Sequence, residues 1–124
     1  MAADSERKLK RILEADGYYV QRGAGSQGVD LVAVNKRNGD TMLIEEKEFW
    51  GNTFSIRHTS KYLVQWKFMR KLQDEMNGHT GVFYALKKKG QQEYRFVRPT
   101  DLKKPYHWNQ GESNGEVHRT QKVV

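Results

Sequence analysis

The chain has 124 residues, enough for one compact domain with a modest core and too few for a cofactor domain joined to a substrate domain. Lys and Arg number 22 against 15 Asp and Glu, a formal charge of +7 with mean hydropathy -0.92, and such an excess favours a polyanion because each cation set against a phosphate releases a condensed counterion. The absence of cysteine excludes disulfides, thiolate zinc sites and cysteine nucleophiles; no apolar run approaches the roughly 20 residues of a membrane span, so a soluble chain of the cytoplasm or nucleoid is expected, without a membrane partner.

Asp4 or Ser5 can cap a first helix whose apolar positions Leu9, Ile12 and Leu13 repeat at helical spacing, with Gly17 as its stop. Glu6 lies three residues before Leu9, on the same stripe. Tyr18–Arg22 has the aromatic and β-branched character of a strand, residues 29–34 form a second and residues 41–47 a third. The connector Lys36-Arg37-Asn38-Gly39-Asp40 contains Asn-Gly, which predicts a tight turn and antiparallel pairing of the second and third strands. Residues 51–58, small and polar, read as a loop. A second helix over 60–76 carries Tyr62, Trp66, Met69, Leu72 and Met76 on one stripe. Two strands follow at 81–87 and 93–98, and from Lys103 the composition turns polar and glycine-rich, which predicts a poorly ordered tail. The order helix, three strands, helix, two strands predicts an α/β domain with a mixed central sheet of about five strands flanked by helices, a single domain over residues 1–102 with a flexible tail at 103–124.

Gly23-Ala24-Gly25-Ser26-Gln27-Gly28 fits the dinucleotide pattern G-x-G-x-x-G. That pattern works only when the loop opens a helix whose N-terminus holds the pyrophosphate. Here β-branched residues follow and run into the Asn-Gly turn, leaving no room for the helix, so no nucleotide cofactor is expected.

The chemistry concentrates around Asp30 and Glu45-Glu46-Lys47. Along a strand Glu45 and Lys47 project to one side and Glu46 to the other. If the hairpin brings Asp30 beside Glu45, two carboxylates converge with an ammonium next to them. Two hard oxygen ligands that leave positions open for water and phosphate suit Mg²⁺, with Mn²⁺ as its substitute. Such an ion activates a phosphodiester toward hydrolysis, and Lys47 can orient the attacking water or offset charge in the transition state. Glu6 can bind the ion through water or assist a second ion. Ser26 and Arg22 flank the site as phosphate contacts. His58, His79, His107 and His118 show no metal-binding spacing, which argues against zinc.

These residues resemble the archaeal-type Holliday junction resolvases, a branch of the restriction-endonuclease-like nucleases. The resemblance runs over residues 5–102 and rests on Glu6, Tyr18-Tyr19-Val20-Gln21-Arg22, Ala24-Gly25-Ser26 leading into Val29-Asp30-Leu31-Val32-Ala33, Leu43-Ile44-Glu45-Glu46-Lys47, and Tyr94-Arg95-Phe96-Val97. It implies that Asp30 and Glu45 are metal-binding carboxylates, Lys47 the catalytic lysine, Glu6 the helix glutamate near the metal, Arg22 the arginine closing the first strand, Ser26 the hydroxyl near the scissile phosphate, and Lys87 a junction-binding position. It also implies a restriction-endonuclease-like core and a two-fold homodimer whose sites nick opposing strands of a four-way junction. The segment from Phe49 to Tyr62 does not align convincingly with the family. Arg57, His58, Lys61, Lys67, Arg70, Lys87, Lys88 and Lys89 are candidates for the backbone-reading surface. Apolar Trp66, Phe68, Met69, Leu72 and Met76 serve either the core or a self-complementary interface. Trp50, Phe54 and Trp108 are candidates for local packing or for stacking on unpaired bases. A nuclease of the same fold acting on other DNA, and a non-catalytic DNA-binding module, are the alternative readings.

Overall fold

The computed structural model describes residues 2–23, 29–56, 60–76, 78–109 and 117–119. Helix α1 spans Ala2–Ala15, starting before Asp4 and Ser5, so Asp4 lies in its first turn instead of capping it. There its charge still complements the positive end of the helix dipole. The buried side chains Leu9, Ile12 and Leu13 form one stripe, and the helix ends in a turn at Gly17, whose φ of 96° is strained for any residue with a Cβ.

Strands β1 (Tyr18–Arg22), β2 (Leu31–Asn35) and β3 (Thr41–Phe49) form an antiparallel meander. The β2–β3 turn is closed by Gly39 N–H donating to Asn35 O and by the Asn35 side chain accepting from Arg37 N–H, with Gly39 at φ 79° as the Asn-Gly signal predicts. A short β4 (Thr53–Phe54) follows, then α2 (Ser60–Glu75), which carries the chain back so that β5 (Thr80–Lys88) joins β3 in parallel. Parallel neighbours require such a crossover. Strand β6 (Arg95–Val97) pairs antiparallel with β5, and a single turn of 3-10 helix covers Pro99–Lys103. Strand β7 (Tyr106–His107) pairs with β4, and β8 (Val117–Arg119) adds to β6. The main sheet therefore runs β1-β2-β3-β5-β6-β8. It is the expected mixed sheet, with a sixth strand at its edge.

Strand alternation splits the core into two layers. One face packs α1 through Leu9, Ile12 and Leu13 against Val20, Leu31, Ala33, Ile44, Ala85, Tyr94 and Phe96. The other packs α2 through Met69, Trp66 and Leu72 against Leu43, Val82, Tyr84, Leu86 and Val97. Two expectations are corrected here. Residues 51–58 are not all loop, because β4 pairs with β7 and Phe54 is buried. Nor does the fold end at residue 102: Tyr106 and Trp108 are buried in the second core, because the Arg95 guanidinium stacks 3.8 Å from the Trp108 ring centroid and donates to Tyr106 Oη and Trp108 O. Among the described residues no helix is long and apolar enough to cross a membrane.

Candidate active site

The β2–β3 register pairs Leu31 with Ile44, and one step further it sets Asp30 opposite Glu45. Two contacts fix Asp30 where β2 begins. Its backbone carbonyl accepts from Gly23 N–H at 2.7 Å, and its Oδ2 accepts from Glu46 N–H at 2.8 Å. Gly23 is glycine for a steric reason: a Cβ there would lie 2.1 Å from Val29 O. The first glycine of the dinucleotide-like pattern thus lets the chain close on the strand that delivers Asp30; Ala24 to Gly28, including Ser26, lie outside the described residues.

Glu45 and Lys47 share the α2 face of β3, with Glu45 Oε2 3.5 Å from Lys47 Nζ. Glu46 turns to the α1 face, as strand alternation predicts. Glu45 is almost wholly buried. Burial and repulsion by Asp30 push its carboxyl up to about 7, against the pull of Lys47 and Gln65. Burial also raises Asp30, with Glu6 adding repulsion, while the Glu46 N–H and Lys47 oppose the shift. Glu45 Oε1 is buried without a hydrogen-bond partner, a costly state for an ionised oxygen. Such a carboxylate pair, raised in pKa and holding one orphaned oxygen, has the donor chemistry of a hard divalent cation.

Two residues from α2 that the sequence reading did not assign to the site complete this geometry. Gln65 Nε2 donates to Glu45 Oε2 at 2.6 Å, and the Tyr62 ring centroid lies 4.9 Å from Lys47 Nζ. They are three apart and therefore neighbours on one helix face. That spacing is a signal, though an ambiguous one until the crossover shows which strand the face meets.

The other predicted residues divide. Glu6 reaches the rim of the site, but its Oε1 is 3.1 Å from Arg22 Nη2, so helix glutamate and strand arginine pair with each other. Among the described residues no group of three or more His, Asp or Glu side chains is arranged to hold a metal, which leaves Asp30 and Glu45 as the carboxylate pair. Lys87 is buried and bound to Glu48 at 3.0 Å, a position unlike a surface charge, because β5 lies inside the sheet. Lys88 Nζ donates to Asn52 Oδ1, Lys89 is 3.6 Å from Glu48, and Lys61 is exposed. Arg57 and His58 lie outside the described residues. Phe54 and Trp108 are buried and take the packing role, whereas Trp50 is 78% exposed. On the α1 face Glu46 is likewise pushed up to about 7 by burial and by repulsion from Asp30 and Glu48; the Tyr94 hydroxyl, 3.3 Å from it and 3.1 Å from Ser5 O, donates to one acceptor at a time. An open cavity of about 350 Å³ lined by Leu13, Tyr18, Met42, His79 and Phe83 includes none of Asp30, Glu45 and Lys47.

Comparison with known proteins bears on the fold and the family. Over 42 residues the chain is 52% identical to the crossover junction endodeoxyribonuclease Hjc of Methanocaldococcus jannaschii, a match spanning 34% of this chain and 30% of that protein. The fold matches that of Archaeoglobus fulgidus Hjc, a Holliday junction resolvase from an archaeal hyperthermophile, with a TM-score of 0.55 and 25% identity over 77% of this chain and 70% of that one. The sequence pattern of the archaeal Holliday junction resolvases (Hjc) matches residues 2–110. Because that match takes in α1, the meander that presents Asp30, Glu45 and Lys47, the crossover helix and the segment up to Trp108, the chain belongs to the archaeal Holliday junction resolvase family.

Proposed function

We propose that the chain is a divalent-cation-dependent endonuclease that resolves four-way DNA junctions, acting as a homodimer whose two sites make paired nicks. The observation that carries this reading is the convergence of Asp30, Glu45 and Lys47 on one face of the β2–β3 hairpin. Asp30 and Glu45 would hold the cation, Mg²⁺ or Mn²⁺. Once bound, the cation supplies Lewis acidity at the phosphodiester and offsets charge on the leaving oxygen. Lys47 does two things from its position beside Glu45: it restrains the carboxylate, and it presents N–H donors toward the attacking water or the developing phosphate charge. Gln65 and Tyr62 limit the freedom of those two side chains, and the Glu46 N–H sets the orientation of Asp30. Preorganisation of this kind lowers the reorganisation needed when the phosphate arrives. Arg22, balanced by Glu6 at the rim, is placed to exchange its carboxylate partner for a phosphate oxygen. A binding module without catalysis gains nothing from burying two carboxylates where phosphates dock.

Dimerisation is supported by α2, where Val64 and Phe68 are 65% and 42% exposed and lie four residues apart on one helix face. An exposed apolar pair on a helix suits a two-fold interface.

The test is cleavage of a synthetic four-way junction with Mg²⁺, with EDTA, and with the Asp30→Asn variant. Paired symmetric nicks should appear only for the native chain with metal. Equal cutting of linear duplex would replace junction resolution with general nuclease action, and DNA binding with no cleavage under any metal would replace it with a binding module.

A further inference from the structure

Trp50 is the most exposed of the large apolar side chains described, at 78%. It stands just past β3, where Gly51 at φ 78° turns the chain toward β4. Lys89 Nζ lies 5.3 Å from its ring centroid. Both residues sit on a fixed backbone, because Lys89 N–H donates to Phe49 O at 2.8 Å and the β3–β5 register pairs Phe49 with Lys88. The two strands are parallel, so their carboxyl ends lie together, four residues past Glu45, the position opposite Asp30.

This placement joins a flat aromatic face to cations at the end of the sheet beyond Lys47. Trp50 is three residues beyond Lys47, about 10 Å along an extended strand, or about three nucleotide steps of a DNA strand. Glu48, 3.6 Å from Lys89, puts the pair on the α1 side of the sheet and Lys47 is on the α2 side, so a DNA strand that reaches both passes round the end of the sheet. In duplex DNA both faces of a base are covered by its neighbours. A base at a branch point has lost a neighbour and can offer a free face. Indole stacking on such a face is tolerant of base identity, and Lys88 and Lys89 supply charge complementary to the flanking phosphates. We propose that Trp50 and Lys89 form a stacking platform for an unstacked nucleobase next to the branch, one source of preference for branched over linear DNA. The proposal rests on the junction-nuclease reading.

The experiment titrates the full-length chain in EDTA with a four-way junction and with linear duplex, following tryptophan emission and affinity. Trp66 is half-buried and Trp108 buried, so quenching that disappears in Trp50→Phe belongs to Trp50. The expected result is quenching by junction and not by duplex, with junction affinity about 5- to 100-fold weaker in Trp50→Ala, duplex affinity within about two-fold, and Trp50→Phe close to the native chain because it keeps a ring. Unchanged junction affinity in Trp50→Ala, or an equal loss for junction and duplex, overturns the platform. The nuclease reading fails separately, in metal-dependent cleavage, which this binding measurement does not use.

Discussion

Replacing Glu45 by glutamine should stabilise the metal-free protein above neutral pH while removing a proposed cation ligand. In the folded chain the carboxyl is pushed up to about 7 from its ordinary value of 4.5. Between those two pH values the folded state keeps a proton that the unfolded state releases, so stability falls as pH rises. The cost is absent below about pH 4.5 and complete above about pH 7. At 1.36 kcal/mol per pKa unit, it reaches roughly 3 kcal/mol, or about 10–15 °C in melting temperature for a chain of this size. Glutamine carries no charge, can accept from Gln65 Nε2 through its own oxygen, and can turn its amide toward Asp30. Melting curves of the metal-free proteins at pH 5 and pH 8 should therefore show a small difference between native and Glu45→Gln chains at pH 5 and a clear advantage for the variant at pH 8. Mg²⁺ at pH 8 should raise the native melting temperature by mass action and leave the variant nearly unmoved. Glu46→Gln is the internal control. Its carboxyl is also pushed up to about 7, so it should gain stability at pH 8, yet its side chain lies on the α1 face and the response to Mg²⁺ should survive. A Glu45→Gln chain no more stable than native at pH 8, or an advantage of equal size at both pH values, would refute the electrostatic reasoning.

Gln65→Leu removes the donor to Glu45 Oε2 and should weaken the apparent Mg²⁺ affinity in cleavage by about 10- to 100-fold, with junction affinity in EDTA unchanged. A metal titration of the cleavage rate reads this directly. Arg95→Ala strips the donors to Tyr106 and Trp108 and the stacked guanidinium, and should cost about 2–4 kcal/mol; denaturant unfolding measures the loss, and limited proteolysis should show faster cutting near residues 103–109.

Asp30, Glu45 and Lys47 were legible because two local rules place them: the Asn-Gly turn sets antiparallel pairing, and period-two alternation selects the face. The strand that follows the glycine motif was legible from its β-branched residues in the same way. Gln65 and Tyr62 escaped because their contacts depend on how far α2 rotates as it crosses from β3 to β5, a tertiary quantity that helical spacing leaves open. Lys87 resembled a surface cation, since a lysine closing a strand usually reaches water; here Glu48 on the neighbouring strand holds it in the sheet. Tyr106 and Trp108 were hidden by polar neighbours, and the two-residue pairing of β4 with β7 is too short to leave a periodic trace.

The hydrogen bond from Glu46 N–H to Asp30 Oδ2 has an implication for how such a site tolerates change. The donor belongs to the main chain, so every residue except proline supplies it. Orientation of Asp30 does not depend on which side chain stands at position 46, whereas a one-residue slip between the two strands would withdraw the donor and turn Glu45 and Lys47 to the opposite face together. Strand register, more than side-chain identity at the intervening position, determines this geometry.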